Sequence, residues 1–141
     1  MVKIYLAADH GGLGLKEILK VYLDEHDVVD LGTHSAEPVN YPDYAGKMAD
    51  TLLQDPDALG ILVCGTGLGM TMVANRHKHI RAARCTTGLD AQLARQHNNA
   101  NVLCLGGRIV GIDLAKHIVD AFLSSSFEGG RHQIRIAQFS C

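Results

Sequence analysis

The sequence predicts an α/β protein: a Rossmann-like, open, mostly parallel five-stranded sheet with helices on both faces. Three observations predict it. Short apolar runs alternate five times with segments whose apolar residues recur at helical spacing. The connections between these segments are short. The third apolar run, Leu59 to Cys64, is apolar on both its faces, as a strand covered on both sides must be.

Taken in order, Lys3 to Ala8 reads as the first strand and Asp9-His10-Gly11-Gly12 as a turn. Leu15, Ile18, Leu19, Tyr22 and Leu23 then form a helical stripe, with Lys16, Glu17, Lys20 and Asp24 on the opposite, polar side. Val28 to Leu31 is a short second strand, and Gly32 to Tyr41 is a loop. Pro42 suits a first helical turn, and Ala45, Met48, Ala49, Leu52 and Leu53 continue a second stripe that Asp55-Pro56-Asp57 ends. Leu59 to Cys64 is followed by glycines at 65, 67 and 69, then by a third helix that should stop between Asn75 and His79. Ile80 to Cys85 reads as strand four. Leu89, Leu93 and Ala94 mark a helix ending around Gln96 to Asn99, and Asn101 to Leu105 reads as strand five. Leu114, Ile118, Ala121 and Phe122 mark the next helix. After Gly129-Gly130, residues 127–141 form a terminal arm or helix of what reads as a single domain, 1–141.

A chain of 141 residues can bury one real core. Its apolar fraction of 47% and charged fraction of 20% are those of an ordinary globular domain. Net charge is −2 with no basic run, tryptophan is absent and aromatics are only 5%, which argues against nucleic acid or an anionic membrane as partner. No apolar run is long enough for a membrane span, and the N-terminus enters a strand at once instead of reading as a signal peptide. Of the cysteines at 64, 85, 104 and 141, none forms a Cys-x-x-Cys pair, and Cys85 and Cys104 read as core thiols. A reducing cytoplasm is the expected location.

Strand C-termini of a parallel sheet share one edge, where ligands bind. Asp9-His10, Cys64 to Gly69 and Gly106 to Arg108 should meet there. His97-Asn98 precedes strand five and falls at the other edge, unless its helix is short or a second subunit supplies it. The glycine loop alone is equally a plain turn or a phosphate cradle, but it follows the third strand and lacks the acidic residue of a dinucleotide fingerprint. Cys64 adds a thiol that a helix N-terminus can activate as base or nucleophile. Arg131 and Arg135 are four apart, and with Arg108 they suit a phosphate; a solvated basic face is the plainer reading. Of the eight histidines, His77 and His79 read as solvated; His26, His34 and His117 have no visible partner; His132 sits between two arginines it can orient. No spacing supports a metal site.

Several segments together resemble one family, that of ribose-5-phosphate isomerase B and the galactose-6-phosphate isomerase subunits. They are Ala-Asp-His-Gly-Gly at 8–12, Tyr-Pro-Asp-Tyr-Ala at 41–45, Cys-Gly-Thr-Gly-Leu-Gly at 64–69, Ala-Asn at 74–75 and Ile-Arg-Ala at 80–82. They continue with Arg-Gln-His-Asn-Asn-Ala-Asn-Val-Leu at 95–103, Gly-Gly-Arg at 106–108 and Glu-Gly-Gly-Arg-His-Gln-Ile-Arg at 128–135. The resemblance implies a metal-independent aldose–ketose isomerase with no cofactor, acting on a phosphorylated sugar through an enediolate. Cys64 matches the family's thiol base; the glutamate that some relatives use falls at Met70 here, which takes no proton. The resemblance further implies that His97 opens the sugar ring, with Asp9 and Asn98 holding it. It makes His10, Arg108, Arg131 and Arg135 the phosphate ligands and Tyr41 a pocket wall. Thr66 and the N–H groups of Gly65, Gly67, Gly69 and Met70 are suited to the developing oxyanion. Asn75 also matches, and a helix cap explains it as well. The family is dimeric with shared sites, which would bring His97 in from a partner; whether two dimers join as a tetramer stays open. The competing readings are a hexose-6-phosphate isomerase, for galactose 6-phosphate or allose 6-phosphate, and a non-catalytic sugar-phosphate or nucleotide-binding module.

Overall fold

The computed structural model describes residues 2–139; the last two positions of the expected terminal arm, Ser140 and Cys141, lie outside them. Five strands, β1 (Lys3–Ala8), β2 (Asp27–Asp30), β3 (Leu59–Cys64), β4 (Ala82–Arg84) and β5 (Val102–Gly106), form one sheet. Every pairing is parallel and the order is β2-β1-β3-β5-β4. The sheet is therefore wholly parallel. Six helices connect and cover it: α1 (Leu13–Tyr22), α2 (Tyr41–Gln54), α3 (Leu68–Ala74), α4 (Gly88–Asn98), α5 (Ile112–Ser124) and α6 (Arg131–Ile136).

Two apolar layers hold the sandwich together. On one face, Leu15 and Leu19 of α1, Ala91 of α4, and Ile118, Val119 and Phe122 of α5 pack against Ile4, Leu6, Ile61, Val63, Leu103 and Leu105. On the other, Ala45, Met48, Ala49 and Leu52 of α2 and Met70 and Ala74 of α3 pack against Ala7, Leu62, Val102 and Cys104. The central strands β3 and β5 are covered on both faces, and this is why they read as continuous apolar runs.

Several elements differ from the sequence expectation. Lys16 is not on the polar side of α1 but fully buried, its Nζ 2.5 Å from the Asp30 carboxylate. Leu53, Leu89 and Leu114 are exposed, whereas Ala91 and Ala115, outside the expected stripes, take buried places on their helices. Strand β4 has only three residues, and side chains occupy the backbone at its N-terminal end. Asn75, the C-cap of α3, exchanges two hydrogen bonds with the Ala82 backbone at 2.8 and 2.9 Å. Buried Asn101 accepts from the Arg81 N–H and donates to the His79 carbonyl. His79 is not solvated: its Nε2 lies 2.7 Å from the Ala49 carbonyl.

The strand order fixes where chemistry can sit. The chain steps from β1 outward to β2, then returns across β1 to β3, so the switch point of the sheet lies between the C-terminal ends of β1 and β3. Ala8 pairs with Val63, so the next residues along the two strands are Asp9 and Cys64.

Candidate functional site

At the switch point three turns interlock. Gly12 begins α1 so close to β3 that an added Cβ would lie 2.2 Å from the Val63 carbonyl oxygen. Gly67 caps α3 at φ +81°, a left-handed conformation that glycine adopts without steric cost. The turn after β5 reaches across, with the Gly107 N–H donating to the Cys64 carbonyl (2.8 Å) and the Arg108 N–H to the Gly65 carbonyl (3.0 Å). The glycine loop is thus tied on both flanks to its neighbours' backbones.

This framing determines the thiol's surroundings. Cys64 is 5% exposed, and the Gly67 N–H donates to its Sγ at 3.1 Å. The Leu68 N–H donates to the Thr66 hydroxyl, and the Thr66 carbonyl accepts from Arg84 Nε at 2.8 Å. The amides of Gly65, Thr66, Gly69 and Met70 find no acceptor among the described residues, so they remain free for a bound oxygen. Met70 contributes only that amide, because its side chain is fully buried in the core. Burial pushes the thiols of Cys85 and Cys104 up to about 12.

Asp9, His10, Tyr41 and Arg108 surround the loop. Asp9 is buried and spends Oδ1 on the Gly12 N–H at 3.0 Å; its Oδ2 has no partner among the described residues. His10 is exposed, and its Nδ1 accepts from the Val39 N–H at 3.1 Å, which tethers the loop from 32 to 40 above the site. The neutral ring therefore carries its proton on Nε2. The Tyr41 ring lies against Gly69, where a Cβ would meet it at 2.5 Å. The Arg108 guanidinium lies alongside Gly65 and is in no ion pair among the described residues.

The remaining expected residues are elsewhere. Helix α4 starts near the C-terminal edge of the sheet and runs back, so His97 and Asn98 at its end lie at the opposite edge from Cys64, as simple topology requires. There α6 packs against α4, and the rings of His97 and His132 stack with centroids 4.3 Å apart and planes 10° apart. His132 thus orients His97, not the arginines. Arg131 and Arg135 are exposed on the same short helix. Asn98 lines a cleft of about 980 Å³ bounded by Asn75, Arg81, Gln133 and Phe139. The cleft lies away from Cys64, and none of the cysteines lines it.

Sequence spacing did not reveal one cluster. His97, Glu128 and His132 bring three donor atoms within 4.8 Å of one another, with Glu128 Oε1 at 3.9 and 3.5 Å from the two Nε2 atoms. Buried His132 Nε2 has no hydrogen-bond partner among the described residues. Burial, then the positive Arg131 and the neighbouring His97, hold His132 below the ordinary imidazole range. The rings are stacked instead of splayed about one point, and guanidinium groups flank them, so the cluster is poorly suited to a divalent cation.

A parallel, doubly wound sheet with a thiol, a glycine loop and unpaired cationic and amide donors at its switch point defines the class: an α/β protein built to hold a small anionic ligand against a sulfur. A family model described as Ribose/Galactose Isomerase matches residues 4–139, and the chain belongs to that family. It is 46% identical over 138 residues to ribose-5-phosphate isomerase B of Escherichia coli K12, covering 96% of this chain and 93% of that one. Among solved structures, a ribose 5-phosphate isomerase from Thermotoga maritima superposes with a TM-score of 0.96 at 52% identity, covering 99% and 97% of the two chains. The Mycoplasma genitalium enzyme with bound ribulose-5-phosphate gives 0.93 at 47% identity, covering 97% and 93%.

Proposed function

We propose that this protein interconverts ribose 5-phosphate and ribulose 5-phosphate, with Cys64 as the base. The observation that carries the reading is the Cys64 sulfur at the switch point, hydrogen-bonded by Gly67 and ringed by unused amides. The relatives named ribose-5-phosphate isomerase B, and the one solved with ribulose-5-phosphate, support the substrate.

The chemistry follows from the geometry. A proton on C2 next to a carbonyl is weakly acidic, so its removal needs a positioned base and stabilised oxygens. Cys64 thiolate takes the C2 proton, leaving a cis-enediolate. The free amides of Gly65, Thr66, Gly69 and Met70 receive the developing negative charge, and the Thr66 hydroxyl moves a proton between the two oxygens. The thiol then returns its proton to C1, giving the ketose. No electron leaves the substrate, so the step needs no redox cofactor. His97 opens the furanose ring by passing a proton from the anomeric hydroxyl to the ring oxygen, with Asp9 and Asn98 on the sugar hydroxyls. His10, Arg108, Arg131 and Arg135 hold the phosphate, and Tyr41 walls the pocket.

One chain cannot offer all of these to one small sugar, because His97, Arg131 and Arg135 lie at the opposite edge from Cys64. The reading therefore includes a homodimer, each site taking its thiol from one protomer and its ring-opening histidine from the other, in the reducing cytoplasm. Two dimers joining as a tetramer is compatible with it.

The test is a direct assay on ribose 5-phosphate beside galactose 6-phosphate and allose 6-phosphate, with Cys64→Ala in parallel. The expected result is pentose turnover unaffected by EDTA, and a kcat lower by about three orders of magnitude or more in the variant while phosphate-ester binding persists. Turnover of only a hexose phosphate would move the substrate by one carbon. Unimpaired function in the Cys64→Ala variant would make the protein a binding module.

A further inference from the structure

Arg84, at the end of β4, has no role in the proposed chemistry. Its Nε–H donates to the Thr66 carbonyl oxygen at 2.8 Å. That carbonyl belongs to the peptide unit whose N–H, on Gly67, donates to the Cys64 sulfur at 3.1 Å. The guanidinium, one peptide group and the sulfur are thus in series. A cation at the oxygen end of an amide draws electron density toward that oxygen and makes the N–H at the other end a stronger donor. The same bond pins the peptide plane, which the left-handed Gly67 would otherwise leave free to rotate.

We propose that Arg84 is a positioning residue for the isomerisation: through the Thr66–Gly67 peptide it aims and strengthens the amide that holds negative charge on Cys64. The proposal rests on Cys64 being the base in the reading above. Arg84 suits the task because it is in no ion pair among the described residues, so no carboxylate diverts its charge. Its planar group keeps both orientation and charge at one oxygen. It touches neither the thiol nor any group assigned to the sugar, and it acts only through the peptide.

The test compares Arg84→Leu and Arg84→Lys with the unaltered protein in two assays. The first is iodoacetamide alkylation of Cys64, followed by peptide mass spectrometry across the neutral pH range; it reads the sulfur directly and does not depend on the substrate. The second is the pH profile of kcat/KM on ribose 5-phosphate. The Leu variant is expected to alkylate about fivefold more slowly at neutral pH, with the rise of the rate displaced to higher pH. Its kcat/KM profile should move in the same direction while KM stays within about twofold. The Lys variant, which keeps the charge, should recover part of both losses. Alkylation of the Leu variant at the original rate throughout would overturn the proposal. So would equal impairment of the Leu and Lys variants, since that would leave Arg84 only a packing role. Should the Leu variant not fold, the Lys variant carries the test alone: a displacement smaller than that expected of Leu supports the charge relay, and either no displacement or one as large as that expected of Leu overturns it. A protein without isomerase activity would sink the functional reading while leaving the alkylation result interpretable.

Discussion

Gly12 has no room for a side chain. With the Val63 carbonyl oxygen 2.2 Å from the position of a Cβ, Gly12→Ala must push the start of α1 away from β3. Urea unfolding is expected to show a loss of about 3 kcal/mol, and isomerase activity should fall with it because Asp9 shares the turn. An unchanged midpoint would mean the turn yields freely. The place of Cys64, at the end of an apolar run and before three alternate glycines, was legible in the sequence, but its role was not, because that stretch alone reads equally as a plain turn. Lys16 was not legible. A helical wheel counts lysine as polar, but its long stem is apolar, and its ammonium reaches Asp30, fourteen positions on, beneath the sheet edge. Nor could the sequence show that the Met70 side chain would go to the core and leave only its amide for the site.

At the scale of elements, the Lys16–Asp30 pair joins α1 to β2. Burial tends to raise the Asp30 carboxyl, but hydrogen bonds from Lys16, the Gly32 amide and Lys20 outweigh it and hold the group below its ordinary 3.8. A carboxyl lowered in the folded state contributes stability above the unfolded carboxylate range and loses it as pH falls through the folded value. The urea midpoint should therefore drop as pH goes below about 4, and Asp30→Asn should flatten part of that drop. At neutral pH Asp30→Asn is expected to cost about 2 kcal/mol, because it leaves the buried Lys16 ammonium with Glu17 as its one remaining carboxylate among the described residues, 2.9 Å away, whereas Lys16→Met with Asp30→Leu should cost less. A loss in the double variant equal to the sum of the two single losses would show that the pair is not coupled. Strand β4 was expected to run from Ile80 to Cys85, and its apolar residues justify that reading. Asparagine side chains from positions 75 and 101 take the backbone groups that further pairing would need. Such long-range competition leaves no trace in local pattern.

For the whole molecule, alternation and short connections were enough to give the parallel sheet and its covered faces. They were not enough to give the order of the last two strands, because a helical crossover of the same length can land beside β3 or one place beyond it. The distribution of site residues was half legible. Topology alone put His97 at the far edge, while the stacking of His97 on His132 and the approach of Glu128 depend on how α6 docks. The proposed shared sites lead to a mixing experiment. Inactive Cys64→Ala and His97→Ala proteins, unfolded together and refolded in equal amounts, should regain about a quarter of the original activity, since half of the dimers carry one intact site. Sites completed within a single chain would regain none.

Strand β5 sits between β3 and β4, although it is made after both. The donors from Gly107 and Arg108 that tie down Cys64 and Gly65 arrive only with it. While the chain is being synthesised, the thiol and its loop leave the ribosome with one flank of β3 unpaired, and nothing fixes the Cys64 or Gly65 carbonyls from that side. The sulfur acquires its final setting only when the later third of the chain folds back into the gap. The reactivity proposed for Cys64 is therefore expected to appear late in a refolding reaction, with the insertion of the last strand.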